Sequence, residues 1–135
     1  MTTNTVSIPE PVARLIKSPD AHKVLATVSP EGEPHAIVCA SLGLFDDHIC
    51  AADVFMTRTV MNLEKNPTAE FLVWMGKDAY SIKATVADRV TEGPIFDKMS
   101  ASLEKFNMTV AAVYVFAATE IWDESASKTA GEKVI

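Results

Sequence analysis

The chain has 135 residues, a formal net charge of −6, 48% hydrophobic residues and 22% charged ones. That is the length of one domain able to bury its own core without metal or disulfides. An acidic chain lacks the basic footprint that nucleic acid or an anionic membrane demands, and no apolar run approaches the roughly 20 residues of a membrane span.

Residues 1–8 read as a loose polar arm. Met1 to Pro11 has neither the basic nor the apolar region of a secretory signal, so the expected location is the cytoplasm. Pro9-Glu10-Pro11 opens a short helix with Val12, Leu15 and Ile16 at helical spacing, and Pro19 stops it. Lys23 to Ser29 reads as a strand, and Pro30-Glu31-Gly32-Glu33 is turn chemistry. His35 to Phe45 reads as one long strand. Asp46-Asp47 is a tight turn, and His48 to Ala52 a further strand. Thr57 to Lys65 changes to helical period, with Val60 and Leu63 on one face and Asn66-Pro67 as the stop. Glu70 to Met75 is the next strand, then Gly76-Lys77-Asp78 turns into Tyr80 to Val90. In that strand Ile82, Ala84 and Val86 alternate with Lys83, Thr85 and Ala87, and Lys83 is expected at the solvent or the rim. Pro94 starts another helix, where its missing N–H costs nothing, and Met99, Leu103 and Phe106 continue its apolar stripe. Thr109 to Trp122 is the last strand, followed by a polar tail, 123–135, expected to be mobile.

About six strands, most at hairpin spacing, and short helices give a mainly β fold: a closed or nearly closed antiparallel barrel over 9–122. With Asp46-Asp47 at a hairpin tip, Cys39 falls opposite a residue near Val54 and not opposite Cys50. The two are therefore expected as free, buried thiols. The oily strands His35–Phe45 and Thr109–Trp122 offer more apolar surface than one small barrel needs. They predict a homodimer burying more than roughly 1,000 Å² in total.

The chemistry-bearing side chains are few. There is no Gly-x-Ser-x-Gly elbow, no His-Glu-x-x-His and no Cys-x-x-Cys, and His22, His35 and His48 lie apart. No catalytic side chain and no metal set is expected. The informative segment is Ala52 to Asn66. Thr57 is placed to cap a helix through its hydroxyl, and Arg58 and Thr59 then sit in the first turn, where free amides and the helix dipole favour an anion. On these residues alone, a phosphate site and a plain helix start with a solvated Arg58 are both open.

The order of these segments resembles the flavin-binding split-barrel family that contains pyridoxamine phosphate oxidase and small FMN-binding proteins. Leu25 to Ile37 (LATVSPEGEPHAI) is similar to its opening hairpin. Thr57 to Pro67 (TRTVMNLEKNP) is similar to its phosphate-binding turn, and Tyr80 to Asp97 to its later strand and Gly-Pro helix. The resemblance covers roughly Pro9 to Trp122. It implies a six-stranded split β-barrel with capping helices and an FMN cofactor at a subunit boundary. Arg58 and Thr59 would take the phosphate, with Thr57 and Asn62 supporting that turn. Arg58 stands where many relatives have Lys. Val38, Cys39 and Ala40 match the strand lying along the isoalloxazine. Ala52, Asp53 and Val54 match the facing strand end, and Trp122 a position that reaches the flavin of the other subunit. Each has an ordinary reading too: Cys39 as a small core residue, Asn62 as a turn residue, Trp122 as an interface aromatic. Asp53 departs from the small or apolar residue usual nearby, and a carboxylate there would disfavour the anionic reduced flavin.

The resemblance thus implies a redox flavoprotein, either a flavin reductase or a small electron-transfer protein, with a small-molecule or protein electron donor and acceptor. A true pyridoxamine phosphate oxidase is not expected. The chain is shorter, and arginine occurs only at positions 14, 58 and 89, leaving no C-terminal Arg segment for the substrate phosphate. The same crevice would also suit a deazaflavin-dependent reductase, or a non-enzymatic flavin- or haem-binding module.

Overall fold

A computed structural model describes residues 4–135. In chain order the elements are α1 (Glu10–Lys17), β1 (His22–Val28), β2 (Pro34–Val38), β3 (Leu42–Phe45), β4 (His48–Ala52), α2 (Thr57–Lys65), β5 (Thr68–Met75), β6 (Asp78–Val90), α3 (Pro94–Glu104) and β7 (Val113–Asp123). The strands form one seven-stranded sheet in the order β2-β1-β5-β6-β7-β4-β3, and every neighbouring pair is antiparallel.

The seventh strand comes from the run His35–Phe45, expected as a single strand. It breaks after Val38, and its halves, β2 and β3, lie at opposite ends of the sheet. Only Cys39, Ala40 and Ser41 join them, a reach of about 14 Å at full extension. The sheet must curl until its two end strands come together, which makes the split barrel.

Local chemistry sets the hairpins. Asp46 and Asp47 both adopt positive φ, 48° and 63°, as a two-residue turn between Phe45 and His48 requires. Asp tolerates this backbone better than most residues. Gly76, at φ 62°, serves the β5–β6 turn, where Met75 pairs with Asp78.

The barrel interior is filled by Leu25, Ile49, Phe71, Val73, Ile82, Phe116 and Ile121, with Val12, Leu15 and Ile16 of α1 plugged into it. Phe71 and Phe116 meet edge to face at 5.0 Å between centroids. A second, smaller cluster lies outside the barrel wall, where Met99 of α3 covers Cys50, Ala52, Val113 and Val115. Strand β4 is thus buried on both faces: Ile49 and Ala51 point into the barrel, Cys50 and Ala52 towards α3.

The tail is polar but not loose. Its end runs back along β7, with Val134 N–H donating to the Ile121 carbonyl at 2.7 Å and Ile121 N–H to that of Ile135 at 2.8 Å. The bonds are backbone to backbone, so tail composition did not announce them. Within the expected arm, Val6 N–H donates to the Ala118 carbonyl at 2.9 Å and Ile8 is buried. Residues 1–3 of that arm lie outside the described residues. Lys83 is half-exposed as expected, 3.7 Å from Glu70, a surface pair of little energetic weight.

Both cysteines are free and buried. Burial pushes the Cys39 thiol up to about 11, against the opposing pull of a Ser41 hydrogen bond and Lys23. Burial alone pushes Cys50 up to about 12. The thiolate is the reactive form, so at pH 8 the folded protein should be alkylated far more slowly than free cysteine. After denaturation without reductant two thiols should titrate. Rapid labelling of the native protein, or a bridge seen by mass spectrometry, would contradict this packing.

Candidate functional site

Helix α2 begins one strand after the tight turn, and its sequence ends it where expected: the Asn66 N–H bonds back to Asn62, and Pro67 follows. Its start differs from expectation. Met56, not Thr57, is the cap residue, and no side chain caps the helix. Thr57 is already the first helical residue, so its hydroxyl does not take the capping position. The first helical bond is Val60 N–H to the Met56 carbonyl, at 2.8 Å. The amides of Thr57, Arg58 and Thr59 therefore have no partner among the described residues, and they carry the positive end of the helix dipole.

Thr59 sits there at 1% exposure, and its Oγ1 has no hydrogen-bond partner among the described residues. An orphaned buried hydroxyl costs free energy unless a ligand or water satisfies it. The other orphan among the described residues, the Tyr114 hydroxyl, is not part of this site. Thr59 lines a depression of about 290 Å³ together with His35, Ile37, Phe55, Met56, Thr57 and Arg58. Its lining residues include Arg58 and His35 and no Asp or Glu, while the Asp53 carboxylate accepts the N–H of the lining residue Met56. Arg58 is exposed and forms no ion pair among the described residues. Free amides, an unpaired hydroxyl and an uncommitted guanidinium suit a phosphate.

A larger groove, about 410 Å³, opens on the outer face of the sheet between Val24, Ala26, Leu72, Ser81, Glu70 and Glu124. Two carboxylates on its walls make it unsuited to an anion. The groove lies along one cross-strand row, Val38–Val24–Leu72–Ser81–Trp122, set by the strand register.

The other candidate residues fall as follows. Val38 is 81% exposed on the outer face, Cys39 is buried and Ala40 exposed. Ala52 is buried beneath α3. Asp53 and Val54 are half-buried. The Asp53 carboxylate accepts the Met56 N–H at 3.4 Å, and the Asp53 backbone pairs with Ala111 and Ala112. Asn62 is buried and donates to Thr27 Oγ1 at 3.0 Å, tying α2 to β1. Trp122 donates its indole N–H to Glu120 at 2.7 Å. It lies at the far end of the row from Val38, four strands along the curled sheet. Of the expected set, Thr57, Arg58 and Thr59 line the depression. His35, Ile37 and Phe55 join them without having been expected. His35 and Ile37 share the inward phase of β2, a period-2 signal present in the sequence but masked while 35–45 reads as one strand.

The solved structures most like this one include an FMN-binding protein from Syntrophomonas wolfei subsp. wolfei, at TM-score 0.78 and 22% identity, covering 86% of this chain and 85% of that one. The HupZ protein of Group A Streptococcus follows at 0.77 and 21%, covering 92% and 99%. An F420 reductase matches at 0.66 and 18%, covering 84% and 98%. At these identities they establish the shared fold. No curated protein matches the chain in sequence. The profile described as pyridoxamine 5'-phosphate oxidase matches residues 9–128, nearly the whole folded unit, and the chain belongs to that family.

Proposed function

We propose that this protein binds FMN, with the phosphate at the start of α2, and serves a redox role in the cytoplasm as a flavin reductase or small electron-transfer protein. The observation that carries this reading is the buried, unpartnered Thr59 hydroxyl in a depression bordered by Arg58 and His35. Family membership supplies the ligand class. In this reading Arg58 would hold the phosphate through its guanidinium, with the Thr59 hydroxyl and the first-turn amides as further donors. Asn62 keeps α2 fixed on β1 through Thr27, so the cradle does not drift. When bound, the flavin supplies the electron transfer itself. In this reading the protein's part is to hold, orient and shield.

The second copy of the chain belongs to this proposal. Val38 and Trp122, both matched to flavin-side positions, lie on β2 and β7 at opposite ends of one cross-strand row. The family resemblance matches Trp122 to a position that reaches the flavin of the other subunit, so in this reading one site takes Val38 from one copy and Trp122 from its partner. The outer face between them is apolar at Val24, Ala26 and Leu72, and Val38 adds an exposed side chain to it. Light scattering at micromolar concentration should give twice the chain mass, and a monomer there would end the two-chain site.

The deciding experiment is the absorbance spectrum and mass of whatever cofactor co-purifies, followed by stopped-flow mixing with NADH or NADPH. FMN bands that bleach on mixing support a reductase, and bands that persist point to a carrier fed by another protein. A deazaflavin mass or a haem Soret band replaces the FMN reading with the deazaflavin-reductase or haem-module alternative.

A further inference from the structure

Phe55 combines two features that ordinary packing does not explain. Its side chain is 95% exposed, and its backbone is held at φ 59°, a left-handed conformation that is a genuine outlier for a bulky residue. Strain of this kind persists only where the surroundings over-determine it, and here they do. Asp53 N–H donates to the Ala112 carbonyl at 2.8 Å, and Ala111 N–H to the Asp53 carbonyl at 3.1 Å. On the other side, Met56 is buried and leads straight into α2. The turn is clamped at both ends, and what it presents is an aromatic ring on the rim of the depression that holds Arg58 and Thr59. A ring that buries nothing in its own chain gains nothing for the fold. Set beside the anion cradle, it meets whatever the cradle's ligand extends outward.

We propose that Phe55 is a ligand-contacting residue of this site: its ring packs against the uncharged riboflavin portion of the flavin whose phosphate Arg58 and Thr59 hold. This rests on the reading that the site binds FMN. It adds that the site recognises two parts of the ligand by separate means, charge for the phosphate and apolar contact for the remainder.

The test is a titration of FMN and of riboflavin into wild-type protein, Phe55→Ala and Phe55→Trp, followed by flavin fluorescence, with light scattering on each. Phe55→Ala is expected to raise both dissociation constants by the same factor, about tenfold, equivalent to about 1.4 kcal/mol. Phe55→Trp should stay near wild type. Because the ring is exposed, the Ala variant should unfold at or above the wild-type temperature. Unchanged binding of both flavins by Phe55→Ala overturns the proposal while leaving the FMN site standing. So does a loss confined to FMN, or a loss that accompanies a fall to monomer mass, since the ring would then serve the phosphate or the subunit contact. Wild-type protein that binds neither flavin removes the FMN reading itself, and Phe55's role with it.

Discussion

Replacing Arg58 with Ala should weaken FMN binding ten- to a hundredfold and leave riboflavin binding nearly unchanged. FMN carries a phosphate with close to two negative charges at neutral pH, and riboflavin lacks it. A charge-assisted hydrogen bond is worth about 1.5–3 kcal/mol, and about 1.4 kcal/mol is one decade in affinity. Arg58 is exposed and unpaired among the described residues, so its loss should not disturb the fold. Thr59→Val is the companion change. It removes a buried hydroxyl that has no partner among the described residues while keeping nearly the same volume. The free protein should gain stability, on the order of 1 kcal/mol, as FMN affinity falls. Fluorescence titrations of both flavins, with thermal melts of the free proteins, measure all of this. Equal losses for the two flavins in Arg58→Ala would place the phosphate elsewhere.

The largest stability effect should come from Phe116→Ala, at about 3–5 kcal/mol. Phe116 is fully buried, edge to face with Phe71 at 5.0 Å, and 6.4 Å from the Tyr114 ring. It lies at the middle of β7, pairing with Ile49 of β4 on one side and Val86 of β6 on the other. Backbone bonded on both edges has little freedom to collapse into the vacancy. For a domain this size the thermal midpoint should drop by roughly 10–20 °C. Phe106→Ala, at a side chain 69% exposed, is the control and should move stability by no more than about 0.5 kcal/mol. If the two variants melt alike, the barrel interior is not packed as described.

The elements that the sequence marks well are those whose ends carry their own chemistry. Helix α2 runs from Thr57 to Lys65 as its change of period and Asn66-Pro67 indicate, and the Asp46-Asp47 hairpin closes as two β-runs separated by turn residues indicate. The break at Cys39–Ser41 carries no such mark. Those residues are all small, with Cys39 and Ala40 continuing an apolar run, and the cause of the break is the closing of the barrel, a long-range event. The same cause hid His35 and Ile37. They reach the α2 depression only because β2 curls in as an end strand beside that helix. Arg58 and Thr59 were legible because a helix start is a local anion site wherever it occurs. Phe55 was not, because neither its exposure nor its positive φ is written in residue type.

The two-sided burial of β4 bears on how this protein can change. Most strands at a protein surface offer every second position to drift, since one face meets water. From Ile49 to Ala52 no position has that freedom: Ile49 and Ala51 answer to the barrel, Cys50 and Ala52 to the layer under α3. Three of those four side chains are Ala or Cys, so the strand is thin as well as enclosed. Added volume on either side would push apart two packed layers at once. Variation that improves a neighbouring binding site must therefore enter at Phe55, Thr57 or Arg58, the exposed side chains of the turn after β4 and the first turn of α2, and the strand between the layers stays as the fixed hinge line from which both are hung.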